Sequence, residues 1–176
     1  MQELADNCEN DLKAVEPYKD LFIKSANLLM KSEDEKTANY LSSVSYVLFN
    51  LAYYVDALFY MLKTLVIREE KLPENHPDIA SSLNNVGCAY GKLGGDKGYE
   101  IECEYCLKAL AIREKVLPEN HPDIATSLNN IGYAYCELGD PKEALKYLLK
   151  ALTIREKVLP KNHPDIAESL NNVGSA

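Results

Sequence analysis

Glycine and proline are scarce in this chain, eight of each among 176 residues, about 9% together where roughly 12% is usual. That shortage argues against collagen-like, proline-rich and turn-dense all-β architectures and leaves helices as the expected state. Basic residues are also short, 19 against 27 acidic ones, which gives a net charge of -8 and a pI near 4.9. A chain of that sign lacks the electrostatic footprint needed to bind nucleic acid or anionic membrane. Neither is expected as a partner.

No run of 18 apolar residues occurs, so no membrane insertion is expected. The first 16 positions carry Glu3, Asp6, Glu9, Asp11 and Glu16, where a secretory signal would show basic residues and then an apolar stretch. Five cysteines cannot all pair within one chain, and no Asn-x-Ser/Thr acceptor is present. A soluble protein of the reducing cytoplasm is the expectation. Walker loop, dinucleotide fingerprint, nucleophile elbow and metalloprotease helix are all missing. The reading is therefore of a non-enzyme, with no catalytic residues, no cofactor and no metal.

What the chain does have is a repeat. Residues 67 to 80 read IREEKLPENHPDIA, 112 to 125 read IREKVLPENHPDIA, and 154 to 167 read IREKVLPKNHPDIA. Downstream of them stand LNNVGCAYGKLG at 83 to 94, LNNIGYAYCELG at 128 to 139, and LNNVG at 170 to 174, with a fainter LSSVSYVLFNLA at 41 to 52. Ala38, Ala80, Ala125 and Ala167 begin successive copies, at intervals of 42, 45 and 42 residues. The three extra residues fall between Leu93 and Tyr99, where GGDKG replaces GD, and are assigned to a surface turn.

Each unit carries two helical patterns. In the best copy the first runs from about Pro122 to Leu138 with Ile124, Leu128, Ile131 and Tyr135 at helical spacing, and the second from about Pro141 to Val158 with Ala144, Leu148 and Ala151. Gly139-Asp140-Pro141 between them supplies a helix end, an N-cap and a first helical residue. Pro77, Pro122 and Pro164 open the next first helices, followed by Asp78, Asp123 and Asp165, whose charge suits a helix N-terminus. His76, His121 and His163 recur at one structural position, so each is read as serving its own helix start. Residues 1 to 33 precede the clear repeats. They suggest two helical segments interrupted at Pro17, and Ser32 with Glu35 forms a capping box into the next helix.

These residues resemble the tetratricopeptide repeat, in the 42-residue form found in kinesin light chains. The family's pattern falls on Leu128, Ile131, Gly132, Tyr135, Ala144, Leu148 and Ala151, and in the middle copy on Leu83, Val86, Gly87 and Tyr90. The resemblance covers residues 38 to 176. It implies an all-α, right-handed superhelical solenoid of antiparallel helical hairpins. The expected divisions are an N-terminal helical cap or degenerate repeat at 1–33, a degenerate first repeat at 34–74, and repeats at 75–118 and 119–160. The first helix of a truncated fourth repeat, or a C-terminal cap, follows at 161–176. Because a hairpin cannot bury its apolar face alone, stacking supplies the stability.

Glu102 falls where Ala144 sits in the next copy. Either its carboxylate escapes past Gly87 to water, or the insertion shifts the local register and Cys103 takes the small slot. Cys103 and Cys106 form C-x-x-C, but their counterparts are Leu145 and Leu148 and no second C-x-x-C exists, so they are read as core residues. The pairs Arg68-Glu69, Arg113-Glu114 and Arg155-Glu156 are read as surface ion pairs.

The resemblance also implies a concave groove lined by first helices. Counted on these copies, it takes in Asn84, Asn85, Asn129, Asn130, Asn171 and Asn172, with Tyr46 and Tyr133 as aromatic walls and Lys92 among the lining. An asparagine side chain offers one acceptor and two donors, so a ladder of them can pair with the backbone of an extended peptide. The expected function is non-catalytic binding of a peptide or partner protein, as a scaffold or adaptor. The alternative is a self-associating structural solenoid or a regulatory fragment of a larger protein, with weak end-to-end association through residues 163 to 176.

Overall fold

The computed structural model describes residues 15–176, and among them there are eight α-helices and no strand. They divide into two compact units that meet after Lys71.

The first unit begins with a single 3-10 turn, Glu16–Tyr18, at Pro17, and continues as α1 (Lys19–Leu29), α2 (Glu35–Asn50) and α3 (Tyr54–Lys71). The helical segment expected before Pro17 lies largely outside the described residues. Tyr60 on α3 donates its hydroxyl to Asn27 Oδ1 on α1 at 3.0 Å, tying the leading helix to the hairpin. The capping box of Ser32 with Glu35 does not form. Asp34 is the N-cap, its carboxylate accepting from Thr37 N at 2.7 Å and from Ser32 Oγ at 2.9 Å. An aspartate one residue before the helix reaches those donors without strain, and they hold its carboxyl below the usual range.

The second unit, Leu72–Ala176, holds α4 (Pro77–Leu93), α5 (Gly95–Val116), α6 (Pro122–Glu137), α7 (Pro141–Val158) and α8 (Pro164–Ser175). The helices α4 and α5 form one hairpin and α6 and α7 the next. Each of the three first helices starts alike: His76, His121 and His163 are N-caps with φ -69° and ψ 136°, and Nδ1 accepts from the backbone N–H of Asp78, Asp123 and Asp165 at 3.1, 3.1 and 3.2 Å. The histidines thus serve their own helices, one each.

The core runs through the junction of α5, α6 and α7, where Cys106, Leu110, Ile124, Leu128, Ile131 and Ala151 are buried against one another. Gly132 lets the hairpin close: a Cβ there would fall 2.6 Å from Leu148 Cγ and 3.2 Å from the Ala144 carbonyl. Stacked tyrosines brace both hairpins, Tyr90 on Tyr105 at 6.0 Å and Tyr135 on Tyr147 at 5.8 Å.

Two expectations fail in this unit. The three extra residues are not a surface turn. They lengthen α5 at its N-terminus, so that it has 22 residues where α7 has 18. Gly98 permits this, since a Cβ there would lie 2.7 Å from the Tyr90 carbonyl. Nor are the arginines surface ion pairs. Arg113 and Arg155 are buried, and each Nη1 bonds the start of the next first helix. Arg113 reaches Asp123 O at 2.9 Å and Ser127 Oγ at 2.7 Å; Arg155 reaches Asp165 O and Ser169 Oγ at the same distances. A guanidinium carries enough donors on a long enough stem to satisfy buried oxygens that no local group serves.

Candidate functional site

The asparagine pairs sit on α4, α6 and α8, but the two members of a pair behave differently. Adjacent helical residues point about 100° apart, so only one of each pair can share a given face. Asn84 and Asn129 are buried, 6% and 3% exposed, whereas Asn85 and Asn171 are exposed and Asn130 and Asn172 are half-buried. Each later asparagine reaches back one repeat. Asn130 Nδ2 donates to Asn84 Oδ1 at 3.2 Å, and Asn172 Nδ2 donates to Asn129 Oδ1 at 3.1 Å. The row is therefore first a latch between neighbouring first helices. Asn130 Nδ2 also lies 3.3 Å from Cys88 Sγ.

Tyr133 is half-buried and meets Tyr99 of α5 edge to face at 6.3 Å. Burial, helped by the nearby Glu137 carboxylate, pushes its hydroxyl up to about 12. Lys92 is exposed at the C-terminal end of α4. Tyr46 is exposed on α2 in the first unit.

The register around Glu102 is settled. The Glu102 carbonyl lies 3.2 Å from the Cβ position of Gly87, just as the Ala144 carbonyl lies 3.2 Å from that of Gly132. Glu102 therefore occupies the alanine slot without any shift, and Cys103 does not take it. Nor does the carboxylate escape to water: Glu102 is 4% exposed and its Oε2 lies against Gly91. Burial pushes its carboxyl up to about 7, with Lys92 opposing.

The two C-x-x-C thiols diverge. Cys103 Sγ faces the Ile131 carbonyl at 4.0 Å, while Cys106 Sγ faces Asn84 Oδ1 at 3.9 Å. Burial raises the Cys103 thiol to about 11, and Cys106 is raised by hydrogen bonding with Cys88 and by burial.

A cavity of about 650 Å³ opens elsewhere, over Leu117, Ile124, Leu128, Leu149 and Ile154 with Glu114, Lys150 and Lys157 at its rim, and none of the asparagines of the three pairs lines it. Sequence reading missed it because its apolar walls join the buried Ile124 and Leu128 to the partly buried Leu117 and Ile154 and the exposed Leu149, which spacing alone does not tell apart. Among the described residues no helix is long and apolar enough to cross a membrane.

No curated protein matches the chain. Solved structures do. A kinesin-light-chain-like protein of Podosopora anserina, built of nearly identical tetratricopeptide-like repeats, is 18% identical, with a TM-score of 0.65 over 95% of this chain and 83% of its own. BtubC (BKLC) from P. vanneervenii is 19% identical, with a TM-score of 0.76 over 96% of this chain and 66% of its own. RapI in its apo form is 25% identical, with a TM-score of 0.71 over 98% and 59% respectively. The pattern of the tetratricopeptide repeat itself matches residues 37–78, 79–123 and 124–165. With its paired helices, the close approach of Gly87 and Gly132 to the facing second helices and that match over most of its length, the chain belongs to the tetratricopeptide repeat family, an all-α solenoid of helical hairpins.

Proposed function

We propose that this protein is a non-catalytic interaction module, a scaffold or adaptor, that holds an extended peptide or a segment of a partner protein along the first-helix face of its repeats. Family membership supports protein binding in general. The observation that favours this face is the recurrence of an asparagine pair on α4, α6 and α8, residues that form helices poorly and yet stand at the same two positions in three copies, the degenerate first copy having Ser42-Ser43 there. Asn85 is exposed, and at the equivalent positions of α6 and α8 the latch uses only the amide nitrogens of Asn130 and Asn172, so their carbonyl oxygens remain to accept from peptide N–H groups. Tyr133 and Lys92 flank this row; Tyr46 offers an aromatic surface to the first unit. Five cysteines, which cannot all pair within one chain, favour a reducing, cytoplasmic setting.

The test is a peptide selected by display against the protein, titrated by fluorescence anisotropy. Asn85→Ala with Asn130→Ala, at equivalent positions of α4 and α6, should weaken it about tenfold, from ~0.5 to 1.5 kcal/mol per lost hydrogen bond, with only a mild salt dependence, at a temperature where circular dichroism shows the variant folded. An unchanged affinity would remove these asparagines from the binding face, and a steep salt slope would relocate binding to a charged surface.

A second reading is end-to-end self-association. Leu170 on α8 is 53% exposed, where its counterpart Leu128 is 4% exposed, and a Cβ on Gly174 would meet nothing within 4 Å. Sedimentation velocity against concentration, for the native chain and Leu170→Lys, distinguishes the two: this reading needs a concentration-dependent species that the variant abolishes.

A further inference from the structure

At one place the second hairpin departs from the third in four side chains at once. Where α6 and α7 carry Tyr133, Cys136, Ala144 and Leu148, the α4/α5 hairpin carries Cys88, Gly91, Glu102 and Cys106. Packing groups have given way to two thiols and a carboxylate, with a glycine beside them. Glu102 and Cys106 stand one turn apart on α5 and share a face, and Cys88 approaches from α4. One ligand atom from each of the three lies within 4.8 Å of the other two. Cys106 is fully buried, Glu102 almost so, and Cys88 half-buried.

The carboxylate is the telling group. Its Oε2 is buried and has no hydrogen-bond partner among the described residues, an arrangement that costs folding free energy unless something else compensates it. Gly91 makes the space, because a Cβ there would fall 1.9 Å from that oxygen. A slot needing only volume would be filled as in the third hairpin, by alanine.

We propose that Cys88, Glu102 and Cys106 bind a thiophilic divalent cation, zinc being the best match to two sulfurs and one oxygen. Ligand atoms around tetrahedral zinc stand about 3.5–3.8 Å apart, given bonds near 2.3 Å to sulfur and 2.0 Å to oxygen, so moves of about an ångström close the site. Both thiols lose their protons to solvent on binding. Asn130 Nδ2, 3.3 Å from Cys88 Sγ, donates to that sulfur and orients it, and Asn84 Nδ2 lies 3.8 Å from the same atom. Asn84 Oδ1, 3.9 Å from Cys106 Sγ, is within reach of the fourth position. The C-x-x-C motif is incidental, since Cys103 faces Ile131. A Cys88–Cys106 disulfide would use the same sulfurs but would leave the buried carboxylate without a partner.

The experiment uses the full chain, stripped of metal and reduced, titrated with Co²⁺. One equivalent should give thiolate-to-cobalt charge transfer and tetrahedral d–d bands, displaced by Zn²⁺. Cys88→Ser and Cys106→Ser should abolish the bands, Glu102→Gln should weaken binding by ~100-fold or more, and Cys103→Ser and Cys136→Ser should leave it intact. Glu102→Ala with Cys106→Leu, which copies the third hairpin, should fold with native circular dichroism and bind nothing. No bands with native protein, bands indifferent to Cys88 and Cys106, or a Cys88–Cys106 disulfide forming in place of metal binding would each overturn the site.

Discussion

Asn130 donates its side-chain amide to Oδ1 of Asn84, 46 residues earlier in the chain, at 3.2 Å. A residue that looks like a ligand contact is thus also a fastening between two repeats. Truncating it leaves the buried Asn84 Oδ1 only the long, weak contact with the Cys106 thiol, so Asn130→Ala should cost ~1 to 3 kcal/mol of stability. Asn85→Ala, one residue from Asn84 but exposed, should cost less than about 0.5 kcal/mol. Urea denaturation of the two variants checks this, and equal losses would show that the latch carries no weight.

Arg113 should behave as a fastening of a second kind. Arg113→Met keeps the apolar stem but strands the Ser127 hydroxyl and the Asp123 carbonyl, and an expected loss of ~1 to 3 kcal/mol follows. Glu114→Ala should change little, because Glu114 is exposed and surface pairing contributes little. A larger loss at Glu114 than at Arg113 would reinstate the ion-pair reading.

Ala52 has a φ of 62°, the one non-glycine in the left-handed region among the described residues, at the position that Gly94 and Gly139 fill in later copies. It closes α2, with Tyr53 N bonding Leu48 O at 2.9 Å. Relieving its Cβ by Ala52→Gly should stabilise the protein by about 0.5 to 1 kcal/mol. A thermal melt is sufficient, and a lowered midpoint would contradict the strain.

Leu148 is fully buried against Gly132, and Leu148→Ala should cost ~2 to 5 kcal/mol; Leu128→Ala, also in the core, falls in the same range. Leu170→Ala, on the open face of α8, should cost less than 1 kcal/mol. A circular dichroism melt of Leu148→Ala within error of the native curve would mean that the helix faces are misassigned.

Tyr133 binds its proton more tightly folded than unfolded, because burial and Glu137 both oppose ionisation. Its contribution to stability is therefore complete below pH 10 and declines as the pH rises through about 12. In an ultraviolet titration, Tyr133→Phe should remove the latest-ionising tyrosine. Loss of an early one instead would place Tyr133 in open solvent.

The period, the hairpins and the histidine caps were legible because each rests on local spacing: a helix start needs only the few residues around His76, His121 or His163. The arginine fastenings were not, because an arginine beside a glutamate at a helix end reads as solvated until the next helix is seen to bury it. The asparagine pairs were half legible. Their recurrence marks a face, but two adjacent residues cannot share it, and which one turns inward depends on the neighbouring helix. Glu102 was the hardest. Its fate depends on Gly91, eleven positions earlier and on another helix, and no periodicity links the two.

That proximity of Gly91 to Glu102 bears on how the chain avoids mispairing with itself. The copies at 112 to 125 and 154 to 167 differ at a single position, so an unfolded chain has almost interchangeable helix starts, and a second helix could dock on the wrong first helix. The carboxylate of α5 cannot be accommodated on α6, where Cys136 stands in place of Gly91 and Tyr133 in place of Cys88. On α4, Gly91 leaves it room. A polar residue that weakens its own hairpin thereby acts as a key that fixes the order of assembly, a form of specificity that uniformly apolar, near-identical repeats would lack.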